Sequence, residues 1–202
     1  PLDVDPWIHN IQVDDVVIHL PCYNDVYDTE SATVKRRNRV GILHFSEYTK
    51  HIHDDVKSIG IVTETSGKVG KGTNNESDRV CDHTSAFLFE FLQAFYSNKR
   101  VTISIYENDT LPLQYARIAM AKQSFSSFST FGMIPIIGTF GDGYFQPGAD
   151  VGVQNKIIRA IASNQYDGFG NIHMMNGKVL SPKSISTMKL SEVSFWLVSR
   201  PS

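Results

Sequence analysis

Apolar residues occur in short runs along the chain, and their spacing predicts the strands. The clearest signal is at 101–106, where Val101, Ile103 and Ile105 alternate with Thr, Ser and Tyr at the two-residue period of a strand. Runs rich in β-branched residues, bounded by Gly, Pro or polar residues, predict further strands at 11–20, 40–45, 59–65, 131–140, 172–175, 178–180 and 191–199.

In two of these predicted strand regions, single residues indicate further detail. Pro135 lies inside 131–140 and favours an edge or bulged strand, because proline cannot donate to a strand ladder. Asn176-Gly177 separates 172–175 from 178–180 and is the preferred pair for a two-residue hairpin turn. The sequence therefore predicts a hairpin near its C-terminal end.

Three segments predict helices. Residues 86–96 carry apolar side chains on nearly all sides, which indicates a buried helix. A helix over 115–122, with a start at residue 109 or 110, would place Pro112 in the first turn, where its missing N–H costs nothing; an edge strand is the alternative there. Residues 150–163 have apolar positions at helical spacing and predict an amphipathic helix.

Together these elements predict a strand-rich α+β fold over residues 1–202, a single domain with a β-sheet or sandwich core and two or three helices. Long polar loops separate the strands, and the strands do not alternate regularly with helices, which disfavours a doubly wound parallel sheet. Residues 1–10 predict an N-terminal arm held by Trp7. The 202 residues, 41% of them hydrophobic, suffice for a substantial core.

Charge and cysteine content exclude several classes of protein. The formal net charge of −2 gives no overall attraction to nucleic acid or to an acidic membrane. No apolar run reaches the length that spans a bilayer, and we expect no signal peptide. Two cysteines, Cys22 and Cys81, are too few for a disulfide framework, and the sequence leaves their pairing open.

Two groups of residues resemble catalytic or metal-binding chemistry. His51 and His53 would point to the same face of a strand, as two metal ligands must, but no spacing identifies a third ligand. Cys81 or Ser85 with His83 combines nucleophile and base types, although neighbouring residues rarely face one substrate atom. Helix capping and a solvated loop explain the same residues, so we predict no catalytic residues, no metal and no cofactor.

Basic residues concentrate in two predicted loops. The loop at 66–73 contains glycines and lysines but fails the phosphate-loop spacing and lacks the helices of a KH clamp. The run at 35–39 carries four positive charges. We predict contact with RNA phosphates or anionic lipid headgroups through these loops. The predicted contact residues are Lys35, Arg36, Arg37, Arg39, Lys68 and Lys71.

Residues 95–132 resemble the C-terminal part of rhabdovirus matrix proteins. The resemblance is carried by Phe95-Tyr96, Ile105-Tyr106, the acidic turn at 107–111, Ser124-Phe125-Ser126-Ser127-Phe128 and Phe131-Gly132. The chain departs from that family in having no lysine-rich N-terminal arm and no Pro-Pro-x-Tyr segment, and the residues after Phe131 have no counterpart. The resemblance implies a self-associating protein that lines a viral membrane and binds the nucleocapsid.

The sequence hypothesis is therefore a non-enzymatic viral structural protein of the virion and host cytoplasm. Its partners would be itself, nucleocapsid or RNA, and an anionic membrane surface, with no small-molecule substrate. The alternatives are a jelly-roll coat protein of a non-enveloped virus, a Cys/Ser-His hydrolase and an RNA-binding module. Aromatic residues in segments expected at the surface would mediate self-association. They are Trp7, Phe125, Phe128, Tyr144 and Phe145.

Overall fold

The computed structural model describes residues 11–20, 42–63, 76–107, 109–126, 130–146, 171–175, 177–180 and 188–199. These ranges contain eight strands and five helices. In chain order they are β1 (Val16–Leu20), β2 (Ile42–Leu43), α1 (Ser46–Thr49), β3 (Ser58–Thr63), α2 (Glu76–Phe95), β4 (Thr102–Glu107), α3 (Leu111–Met120), β5 (Gln123–Ser126), α4 (Thr130–Ile137), β6 (Asp142–Phe145), β7 (Asn171–Met174), β8 (Val179–Leu180) and α5 (Leu190–Val198).

Six of the strands form one sheet in the order β4-β3-β1-β5-β6-β7, and every pair of neighbours is parallel. The first strand in the chain therefore lies in the middle of the sheet, with β3 and β5 on its two sides. A second, two-stranded sheet pairs β2 with β8 antiparallel. Mixed helix and strand content agrees with the sequence prediction, but the sandwich core does not: the main sheet is parallel.

Both faces of this sheet are covered, as in a doubly wound fold. On one face Ile18, Ile61 and Phe125 belong to a core that includes buried residues of α2 and α5. On the other face Val17 and Val62 belong to a second core, which includes buried residues of α3 and α4. Alternate residues of the central strands thus enter different cores, which is typical of parallel sheets.

This covering explains why the sequence misled about the fold class. All five residues of β1 are buried, so the strand shows no alternation. The clean period of two at 101–106 belongs to β4, an edge strand with two exposed ends and intermediate burial between them. The strongest strand signal therefore came from the border of the sheet, where one face meets solvent.

Two predicted strands are helices. The segment 131–140 lies mainly in α4, with Pro135 inside the helix, and 191–199 lies mainly in α5. Short apolar runs fit a buried helix as well as a strand, and periodicity cannot separate the two. The start of α5 is marked by a capping contact, in which the Lys189 backbone N–H donates to Glu192 Oε2 at 2.6 Å. With these two helices restored, strands and helices alternate along much of the chain.

The predicted hairpin is also wrong. Residues 172–175 and 178–180 do contain β7 and β8, but β7 pairs with β6 and β8 pairs with β2. Ile42 faces Leu180 and Leu43 faces Val179 in the small sheet. Strands β7 and β8 therefore belong to different sheets and do not form a hairpin.

Several other predicted elements are present, although the described ranges contain five helices where two or three were predicted. Helix α2 covers 86–95 of the predicted 86–96, and α3 covers most of 115–122, with Thr110 as its N-cap and Pro112 in its first turn. Strands β1 and β2 occupy only part of the predicted 11–20 and 40–45. Strand β3 matches 59–65 to within two residues. The arm at 1–10 and the amphipathic helix at 150–163 lie outside the described residues. Of the helices described, none has the length and apolar character needed to cross a membrane.

Candidate functional site

The carboxyl ends of β1 and β5 meet where the direction of the chain through the sheet reverses. From β1 the chain builds β3 and β4 on one side, and it then crosses to build β5, β6 and β7 on the other side. Connections that leave neighbouring strands in opposite directions open a crevice at the carboxyl edge of a parallel sheet, where ligands bind in open α/β folds. The first candidate site is therefore the edge formed by the ends of β1 and β5.

A buried polar pair lies at this edge. His19 of β1 and Ser126 of β5 face each other in the strand register, and His19 Nδ1 lies 3.0 Å from Ser126 Oγ in a hydrogen bond. His19 is 3% exposed and Ser126 is fully buried. Burial lowers the pKa of His19 from its ordinary 6.5 to about 4, because the charged imidazolium would lose its hydration. The imidazole is consequently neutral at neutral pH.

The first turns of α4 pack directly against this pair. A Cβ added to Gly132 would overlap Ser126 Oγ and would lie 2.9 Å from His19 Nδ1. Glycine is therefore required for the helix to approach the two strand ends so closely. The approach covers the hydroxyl of Ser126, and the pair holds β1, β5 and α4 together at the edge.

Two more buried polar residues lie at the same edge of the sheet. Thr63 ends β3 and is 4% exposed, and Gln146 directly follows β6 and is 3% exposed. The backbone N–H of Gln146 donates to the backbone carbonyl of Ser126 at 3.0 Å, which ties it to the end of β5. The side-chain carbonyl oxygen of Gln146 is buried and has no hydrogen-bond partner.

The histidines predicted as metal ligands lie toward the opposite, amino edge. The His51 ring packs on Tyr144 at 5.1 Å, and His53 Nε2 lies 4.0 Å from Asp142 Oδ2. His173 Nε2 lies 3.5 Å from Asp142 Oδ1. The backbone of residues 51–53 is held by two hydrogen bonds to the Gln123 side chain. In the ranges that the structure describes, no three His, Cys, Asp or Glu side chains form a group that could hold a metal ion.

Of the residues proposed for a hydrolase, His83 and Ser85 lie on α2 and do not form a catalytic pair. His83 is exposed and stacks on Phe87, with 5.9 Å between the ring centroids. Ser85 is buried, and residues two positions apart on a helix point in nearly opposite directions. The side chain of Cys81, like the whole of Cys22, lies outside the description.

Three of the predicted self-association residues are in the core. Phe125 is fully buried, Tyr144 is 8% exposed and Phe145 is 2% exposed. Phe125 and Tyr144 face each other across β5 and β6 and stack with their rings 4.6 Å apart. The expectation that these side chains lie at the surface was therefore wrong. The neighbouring glycine had suggested an exposed turn, but Gly143 allows close packing, since a Cβ there would lie 2.8 Å from Ile136 Cγ2.

The other predicted site residues lie outside the described ranges. They are Trp7, Phe128, Lys35, Arg36, Arg37, Arg39, Lys68 and Lys71. Sequence reasoning in turn missed His19, Ser126 and Gln146. One signal for His19 was present: a polar residue near the end of an otherwise apolar strand that stops at Pro21.

No protein-family model, curated protein or solved structure matches this chain. The class of protein is therefore defined by the fold alone, as an α/β protein with a doubly wound parallel sheet.

Proposed function

We propose that this chain is a ligand-binding α/β domain with its site at the carboxyl edge of the sheet, between β1 and β5, and that the ligand is a nucleotide. The strand order carries the proposal. Numbered within the main sheet alone, the order is 3-2-1-4-5-6, the arrangement in which nucleotides bind at the reversal point.

Buried polar groups at this edge support a binding role. His19, Thr63, Ser126 and Gln146 are all buried near the ends of four different parallel strands. A buried acceptor without a hydrogen bond is costly, so the unpaired side-chain carbonyl oxygen of Gln146 favours a polar ligand that carries a donor. This proposal departs from the sequence prediction that the chain has no small-molecule substrate.

The amino-acid sequence that follows β1 indicates which kind of nucleotide would bind. Dinucleotide-binding folds have a G-x-G-x-x-G sequence there, which lets the backbone approach the pyrophosphate. In this chain β1 is followed by Pro21-Cys22-Tyr23-Asn24-Asp25, which contains no glycine. We therefore favour a nucleoside mono- or diphosphate over NAD or FAD.

The His19–Ser126 pair argues for positioning and against nucleophilic catalysis. The Ser126 hydroxyl is fully buried under α4, so a substrate carbonyl has no approach to it. With its pKa lowered to about 4, His19 is a weak base at neutral pH. The Ser-His hydrolase alternative therefore gains no support from the one Ser–His contact at this edge.

Thermal unfolding with ADP, GDP, UDP, CDP and NAD tests the proposal, followed by calorimetry for any nucleotide that raises the Tm. A nucleotide at a concentration one hundred times its Kd should stabilise the protein by about 2.7 kcal/mol. Ser126→Ala should weaken binding several-fold, since it removes the hydrogen bond between Ser126 and His19.

Ser58→Ala is the matched control, because Ser58 Oγ also accepts one hydrogen bond, from the Asp15 backbone N–H at 3.0 Å, but at the amino edge. It should bind like the wild type. No response to any nucleotide, or equal losses in the two serine variants, would overturn the proposal.

We keep the self-assembling structural protein as a second proposal. Its support comes from aromatic side chains other than those predicted: Phe140 is 89% exposed and Phe195 is 72% exposed. The jelly-roll alternative requires two packed antiparallel sheets, which the main sheet does not provide. Light scattering across a range of concentrations and salts tests assembly, and a strict monomer throughout would contradict it.

Contact of the basic residues with anions stays a prediction. The segments that contain 35–39 and 68–71 begin where β1 and β3 end, at Leu20 and Thr63. If these residues bind RNA phosphates, the affinity for RNA should fall steeply as salt is raised. An affinity independent of salt would contradict the prediction.

A further inference from the structure

Two buried glutamines lie at opposite ends of two neighbouring strands of the main sheet. Gln123 is the first residue of β5, at the amino edge, and is 1% exposed. Gln146 directly follows the last residue of β6, at the carboxyl edge, and is 3% exposed. Because β5 and β6 are parallel neighbours, the two amides are at opposite edges of the sheet.

The amide of Gln123 is fully used within the protein. Its Nε2 donates to the His51 backbone carbonyl at 2.9 Å, and its Oε1 accepts from the His53 backbone N–H at 2.9 Å. It also lies 3.4 Å from the Tyr144 hydroxyl. These contacts explain why a polar side chain is buried at that position.

The side-chain carbonyl of Gln146 has no such explanation. Its Oε1 is buried without a hydrogen-bond partner, although the backbone N–H of the same residue is bonded to Ser126. An acceptor that is taken from water and left unpaired destabilises the ligand-free protein, and such groups in native proteins need a reason. A leucine or methionine of similar size would fill the space without this cost.

We propose that Gln146 Oε1 accepts a hydrogen bond from a hydroxyl or amino group of the nucleotide. The inference rests on the proposed function, and it assigns a specificity role to a residue whose backbone N–H is bonded to the end of β5. A ligand with a donor at that point satisfies the oxygen, and a ligand without one leaves it unpaired. Gln146 thereby selects for nucleotides that present a donor.

The test compares Gln146→Met with Gln123→Met in the whole chain, with whichever of ADP, GDP, UDP and CDP binds the wild type. Methionine keeps the side-chain length and removes the amide. For Gln146→Met we expect a Kd about ten-fold higher, since a ligand donor would face an apolar side chain. Gln123→Met should keep the wild-type Kd, because its amide bonds only to protein at the other edge.

The ligand-free variants give a second readout. The Tm of Gln146→Met should equal or exceed that of the wild type, because no internal hydrogen bond is lost, whereas Gln123→Met should unfold at a lower temperature. A Tm of Gln146→Met as low as that of Gln123→Met would overturn the inference, since it would place the amide in a structural bond. If Gln146→Met does not unfold cooperatively, Gln146→Asn, which draws the oxygen back by one methylene, replaces it with the same expectation for Kd.

The two proposals fail in different ways. Nucleotide binding by the wild type with an unchanged Kd in Gln146→Met would overturn the role of Gln146 and leave the proposed function standing. Absence of nucleotide binding by the wild type would overturn the proposed function and the inference with it.

Discussion

The amino and carboxyl edges of the main sheet both contain buried polar residues, but they use them differently. At the amino edge most of these groups bond to one another, although Asp14 Oδ1 is buried and has no hydrogen-bond partner. The Asp15 carboxylate accepts from the Lys57 backbone N–H at 2.8 Å and from Lys122 Nζ at 2.7 Å. The hydrogen bond from Lys122 lowers the pKa of Asp15. Together with the Gln123 amide, these contacts fix the loops that enter the strands.

The carboxyl edge also combines a buried hydrogen bond with one buried, unpaired oxygen. His19 and Ser126 bond to each other across β1 and β5, and Gly132 lets α4 cover them. The Gln146 backbone N–H donates to the Ser126 carbonyl, and its side-chain carbonyl oxygen is buried and unpaired. The sharpest contrast is between two glutamines: the Gln123 amide bonds within the protein at the amino edge, and the Gln146 oxygen at the carboxyl edge has no partner there. Each prediction below tests one side of this comparison.

The largest expected effect is the pH dependence that His19 confers on the carboxyl edge. Between pH 6.5 and 4 the unfolded chain binds a proton at His19 that the folded protein does not, so the free energy of unfolding falls as the pH falls. The loss should reach roughly 3 kcal/mol by pH 4. Urea unfolding at a series of pH values measures it.

His19→Asn is the matched variant, because it keeps a polar group near Nδ1 and does not titrate. Its free energy of unfolding should fall less over the same interval. Burial also lowers the pKa of His44, but that contribution is common to both proteins and cancels in the difference. If the free energy of unfolding changed equally with pH in the wild type and the variant, His19 would not be buried as described.

The next effect is steric. Gly132→Ala places a methyl group on Ser126 Oγ and His19 Nδ1, so α4 must move away from the edge. We expect a loss of about 2 kcal/mol in the free energy of unfolding, measured by urea denaturation. Gly138→Ala is the control, because the nearest atoms to a Cβ there are at 3.7 and 3.8 Å. The control should be close to neutral, and similar losses at the two glycines would contradict the packing of α4 on the pair.

The smallest effect concerns the amino edge. Gln123→Met removes both hydrogen bonds that hold the loop at 51–53. The free energy of unfolding should fall by about 1–2 kcal/mol, a modest loss because water can reach part of that loop. Hydrogen exchange at the His53 amide, which donates to Gln123, should become faster. A variant as stable as the wild type would mean that the Gln123 hydrogen bonds do not stabilise the fold.

A helix or strand was predicted correctly from the sequence where its residue pattern fits only one type of secondary structure. The alternation at 101–106 identified β4, Pro112 marked the first turn of α3, and the apolar run at 86–96 identified α2. The runs at 131–140 and 191–199 suited a strand and a buried helix equally, and both were assigned to the wrong one.

Pairing of the strands and assembly of the edge were decided only by the tertiary structure. Aromatic residues among serines and glycines, such as Phe125 and Tyr144, looked like surface residues until β5 and β6 placed them in the core. His19 and Ser126 are 107 positions apart, and neither is unusual in its own segment. They meet because β1 and β5 are parallel neighbours, and such pairing depends on helices that cover both faces, information that no local stretch contains.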